Sequence, residues 1–144
     1  ERPKKNLAAI LDRAKADSIP AALIGVAITG QDADPRDAAY AVAGHCARFF
    51  NESGAQFWKM QPGSELSSSK TCLALPGEEY IIYTTNGPLL VDLTADTTAQ
   101  FAVRWFNPCN GKFHASTNIA GGAWREFVPP FHEDAVLHLK RAKP

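Results

Sequence analysis

The sequence predicts a mainly β protein: an antiparallel β-sandwich of about seven strands, preceded by an α-rich helix–strand–helix segment. Three observations predict it. Alanine is concentrated early, with fourteen in residues 1–56 and nine in residues 57–144. From about residue 70 the apolar residues recur at period two, the repeat of a strand with one buried face. These stretches are short and are punctuated by Pro76-Gly77, Asn86-Gly87-Pro88, Asn107-Pro108, Gly121-Gly122 and Pro129-Pro130, all turn-forming combinations.

Residues 5–16 (KNLAAILDRAKA) place Leu7, Ile10, Leu11 and Ala14 at helical spacing, with Lys and Asp opposite. Residues 19–30 (IPAALIGVAITG) form a continuous apolar run, as in a strand buried on both faces; a buried irregular segment has the same pattern. Asp34-Pro35-Arg36-Asp37 is a helix start. Asp34 caps, Pro35 suits the first helical position, and Asp37 favours the positive end of the dipole. The helix is expected to reach about Asn51, with Tyr40, Ala43, Ala47 and Phe50 on one face and Gly54 as its stop. Residues 57–75 connect to the β region. The expected strands are 70–74, 79–85, 89–93, 100–106, 111–116, 123–128 and 134–140. The domain division that follows is 1–62 for the α-rich segment and 63–144 for the sandwich. A sandwich of about 75 residues buries only about 60% of its unfolded surface, so it gains by packing on the first part.

Lysines and arginines total 15, as do aspartates and glutamates. A balanced charge argues against nucleic acid, whose binding rests on clustered cations, and against a polybasic membrane contact. No apolar run approaches the roughly 20 residues needed to span a bilayer. No signal peptide is visible, and a chain opening on Glu1 suggests a missing leader, tag or upstream region. Cys46, Cys72 and Cys109 allow one disulfide, Cys72–Cys109 if both lie in the β region, or three free thiols.

In FAVRWF, Phe101, Val103 and Trp105 share one face and read as core; Ala102, Arg104 and Phe106 share the other. Leu89, Val91 and Leu93 are core by the same alternation, and Leu137 and Leu139 point in while His138 and Lys140 point out. Asn107–Gly111 reads as a hairpin turn. Trp124 is one register off Ala123, Arg125 and Phe127, which makes it the better candidate for an exposed aromatic on which a sugar ring could stack. The candidate ligand-binding set is Trp124, Arg125, Phe106 and Arg104. His114, His132 and His138 have no metal-ligand spacing. His45 and Cys46 are adjacent on a helix and do not face each other. Glu78-Glu79 and Glu133-Asp134 sit at turns and read as solvated rather than as an acid pair across a cleft. No catalytic residue, metal site or cofactor is assigned.

FFNESGAQFWKMQP resembles the helix end and linker that close the barrel of apiosidase-like glycoside hydrolases. CLALPGEEYIIYTTNGPLLVDL, FAVRWFNPCNGKF and FVPPFHEDAVLHLKRA resemble, in order, their C-terminal β-sandwich, a module labelled collagen-binding. The resemblance covers about two thirds of the chain. It implies that residues 5–51 are the last units of a (β/α)₈ barrel and that the chain is secreted or periplasmic. It implies a catalytic barrel as partner and polysaccharide as a further partner; the charge balance and the lack of a long apolar run are what argue for no nucleic acid and no membrane. The family's catalytic carboxylates lie earlier, and no position here matches them. The expected function is therefore a non-catalytic module of a carbohydrate-active enzyme that braces the catalytic domain and contacts glycan. The alternatives are a small stand-alone carbohydrate-active enzyme with a metal site lined by those histidines, and a module that binds a matrix protein such as collagen.

Overall fold

The computed structural model describes residues 33–142 apart from residues 86, 96 and 116, with only the backbone described over residues 33–39. The expected helix at 5–16 and strand at 19–28 lie outside the described residues. The chain runs through helix α1 (Ala33–Ser53), then β1 (Gln61–Pro62), β2 (Cys72–Leu75), β3 (Glu79–Thr84), β4 (Leu89–Asp92), β5 (Gln100–Asn107), β6 (Lys112–Ala115), β7 (Ile119–Ala120), β8 (Trp124–Phe127) and β9 (Ala135–Arg141). The fold is mainly β and antiparallel. Seven of these strands overlap the seven expected ones. β1 and β7 span two residues each, too few for alternation to show in sequence.

The large sheet has the order β1-β2-β3-β9-β5-β6, with β7 also on β5. The small sheet is β4 with β8. The two sheets enclose the main core: Tyr80, Ile82, Leu89, Val91, Leu93, Phe101, Val103, Trp105, Phe127, Leu137 and Leu139 are all buried there. Phe101, Val103 and Trp105 are core as their alternation requires. Gly111 closes the β5–β6 turn at φ +69°, donating its N–H to Asn107 O at 2.8 Å, a backbone conformation that favours glycine.

The large sheet is covered on its other face as well. Phe49 of α1 packs with Phe106, Ile81, Ala55 and Met60 in a second core, with Phe113 and Val136 at its margin. This explains why EYIIYT, the β3 sequence, lacks a polar face: Tyr80 and Ile82 serve one layer, Glu79 and Ile81 the other. It also corrects three expectations. Of the expected α1 face, Phe50 packs against this second core and Ala43 and Ala47 are half-buried, but Tyr40 is exposed at 47%; the fully buried ring is Phe49, seated on the aromatic side chains that β5 and β6 present. His138 points away from the sandwich core as expected, yet it is 1% exposed because α1 covers that face. Glu79 is not solvated at its turn but is likewise 1% exposed. All three cysteines are free: Cys72 is buried on β2 while Cys109 is exposed in the β5–β6 turn, so no Cys72–Cys109 bridge forms.

Candidate functional site

The four candidate residues are divided among three surroundings. Trp124 opens β8 on the solvent side of the small sheet and is 50% exposed. Its position follows from the turn before it. Gly122 holds φ +82° and donates to Leu93 O at 2.8 Å. That fixes the β8 register, with Asp92 opposite Trp124 and Leu90 opposite Glu126. Phe127 takes the buried face opposite Leu89, which leaves Trp124, Glu126, Leu90 and Asp92 on the outer face. Asp92 Oδ1 accepts from Thr94 N at 2.9 Å and from Thr94 Oγ1 at 2.6 Å, and these bonds hold its carboxyl below the usual range.

Arg125 lies on the opposite side of β8 from Trp124. Its Nε donates to Ala120 O at 3.0 Å and its Nη2 to Gly121 O at 3.3 Å. The guanidinium thus ties the end of β7 and the following glycine pair to β8.

Arg104 and Phe106 lie on the helix side of the large sheet. Phe106 is 1% exposed, 5.2 Å from the Phe49 ring and 4.8 Å from the Phe113 ring. Arg104 lays its guanidinium 4.4 Å over Phe113, a cation–π contact. Between α1 and this face runs a groove of about 640 Å³ whose apolar wall includes Phe49, Phe50, Ile81, Phe106 and Val136. Its polar end is a hydrogen bond from Tyr83 Oη to Asp134 Oδ2 at 2.6 Å. That bond, with burial behind it, pushes the Tyr83 phenol up to about 12.

A buried polar node lies nearby that sequence reasoning missed. His138 Nε2 donates to Glu79 Oε1 at 2.7 Å. Glu79 Oε2 accepts from Gln56 N at 3.0 Å, and Lys140 Nζ sits 3.6 Å from Oε1 while donating to Gly54 O at 2.7 Å. The segment leaving α1 is thereby pinned to the middle of the sheet. Burial holds the His138 pKa below its ordinary value, partly offset by Glu79. The neutral ring that donates at Nε2 leaves Nδ1 as an acceptor, and Nδ1 is buried with no partner. The only hint in sequence was Glu79 standing in register with the apolar face-switching run EYIIYT.

The three histidines do not converge. His138 is in this node, His114 is exposed with its ring 5.2 Å from Phe131, and His132 is exposed. Among the described residues no group of three or more His, Cys, Asp or Glu could hold a metal ion, and no helix is long and apolar enough to cross a membrane.

Two solved structures share the fold. One is a glycoside hydrolase, 15% identical, with a TM-score of 0.58 over 72% of this chain and 25% of that one. The other is a glycoside hydrolase family 5 protein from Bacteroides vulgatus ATCC 8482, 14% identical, with a TM-score of 0.59 over 72% of this chain and 24% of that one. The chain therefore spans about a quarter of the length of either. No curated protein matches. Residues 62–140 match the family described as "Putative collagen-binding domain of a collagenase". That match runs from Pro62 at the end of β1 through most of β9 and covers more than half of the chain, and the chain belongs to this family.

Proposed function

We propose that this chain is a non-catalytic accessory module of a secreted glycoside hydrolase, and that it contacts glycan through the outer face of the small sheet. The observation that carries the reading is Trp124: a half-exposed indole on β8, on the side of the sandwich away from α1. An indole face offers apolar area at little entropic cost, and a sugar ring presents axial hydrogens to it. The likeness of fold to a quarter of each of two glycoside hydrolases supports an attachment to a catalytic domain. In this reading residues 1–62 belong with that domain and residues 63–144 form the sandwich. The groove beside α1 and the aromatic contacts of Phe106 and Arg104 then brace the junction.

Affinity electrophoresis of the chain against a panel of polysaccharides tests the glycan contact. Retention by at least one polysaccharide, lost in Trp124→Ala, is expected. Retention by none leaves only the bracing role. The family's description favours a second reading, a collagen contact; a pull-down with triple-helical collagen checks it, and capture that survives Trp124→Ala would move the site elsewhere.

A further inference from the structure

We infer that the Trp124 face selects glycans carrying free amino groups, such as glucosamine polymers, over neutral and uronic-acid glycans. The inference rests on the glycan reading above and adds the charge class of the ligand. Four side chains occupy the outer face of the small sheet: Leu90, Asp92, Trp124 and Glu126. Two are carboxylates and none is a base. The one guanidinium of β8, Arg125, is committed to the carbonyls of Ala120 and Gly121 on the other side. Asp92 stands directly across the strand pair from Trp124, and opposite residues on one face have Cβ atoms about 5 Å apart. Glu126 lies two residues along the same strand, about 7 Å away. A ring stacked on Trp124 is therefore bordered by carboxylates from two directions.

Those carboxylates are available. Asp92 Oδ1 is held by Thr94, which fixes the group and leaves Oδ2 without a hydrogen bond from any described residue. Glu126 forms no ion pair with a described residue and is exposed. A glycosyl ammonium over this face meets both carboxylates and the electron-rich indole, each of which attracts a cation. A uronate meets like charge, and a neutral sugar gains only the stacking.

Isothermal titration of the full chain with three oligomers of matched length provides the test: glucosamine, N-acetylglucosamine and galacturonate, at a pH where the amines are protonated. The glucosamine oligomer is expected to bind tightest, with affinity falling as salt rises. The double variant Asp92→Asn/Glu126→Gln is expected to lose about tenfold for glucosamine, since exposed charge pairs are singly weak, and to leave the N-acetyl oligomer unchanged. Trp124→Ala is expected to weaken both. Both carboxylates are at the surface, and unchanged thermal unfolding of the double variant verifies its fold. Equal binding of the acetylated oligomer, or a double variant that binds glucosamine normally, overturns the charge selection while the Trp124 platform stands. Binding of no oligomer by the wild-type chain, together with no retention by any polysaccharide, removes the glycan reading and this inference with it.

Discussion

A proton added to His138 would sit on a ring that is only 1% exposed. The side chains that face it are Glu79 from β3, Phe49 from α1 and Arg104 from β5, with Lys140 further along β9. Burial lowers its pKa, Glu79 works against that, and the two cations reinforce it. The unfolded chain therefore takes up this proton first as pH falls. The contribution to stability is intact above the ordinary histidine value of 6.5 and is lost progressively below it, until native His138 itself titrates. Urea midpoints at about pH 7.5 and about pH 5.5 should differ, and His138→Gln should narrow that difference. Equal wild-type midpoints would contradict the assignment. Glu79→Ala strands the His138 and Gln56 N–H groups, and is expected to cost about 1–3 kcal/mol for each in equilibrium unfolding. Sequence reasoning placed His138 on the face away from the sandwich core correctly. What it lacked was the knowledge that a helix covers that face. The burial of Glu79 was hidden for the same reason, because period two assigns a side but not what lies over it.

The contact between α1 and the β5–β6 turn is decided by one glycine and one histidine. His45 Nδ1 is 2.9 Å from Pro108 O, and a Cβ at Gly111 would come within 2.6 Å of the His45 ring. Gly111→Ala therefore meets both a positive φ and a clash, and is expected to cost about 1–3 kcal/mol. In a double-mutant cycle His45→Ala should recover the steric part of that loss and not the backbone part; full additivity would place the two residues out of contact. Phe49→Ala removes the ring that Phe50, Phe106, Phe113 and His138 surround. A loss of about 3–5 kcal/mol is expected by urea titration. At this scale the sequence was most readable. The extent of α1 and the positions of seven strands follow from alternation and turn residues. The facing stripe of α1 followed only in part: Phe50 packs as expected, while the burial of the adjacent Phe49 depends on the sheet's own phenylalanines, Phe106 and Phe113.

The described residues form three layers, with the large sheet between α1 and the small sheet. Two cores share that sheet, so stripping off α1 should leave the sandwich core closed while exposing Ile81, Phe106, Phe113 and Val136. A chain beginning at residue 57 is expected to bind the dye 8-anilinonaphthalene-1-sulfonate and to associate, whereas the longer chain does neither. A truncated chain that stays monomeric and dark would show that the helix layer is dispensable. The layers also separate the two proposed roles, with bracing on the helix side and glycan contact on the far side. Little of this could be read from sequence. Which strand neighbours which depends on contacts between distant segments, and the β4–β8 pair comes from stretches more than thirty residues apart.

The position of β9 has a consequence for how the protein is made. The last strand of the module lies in the middle of its large sheet, hydrogen-bonded to β3 on one side and β5 on the other. A ribosome that has delivered residues up to 134 has produced two half-sheets with nothing to join them. The apolar surfaces of both cores then wait on the final segment, whose Leu137 and Leu139 enter one core while Val136 lies against the other. A chain that stops before β9 leaves those surfaces uncovered. Folding of the module is thereby tied to the arrival of β9.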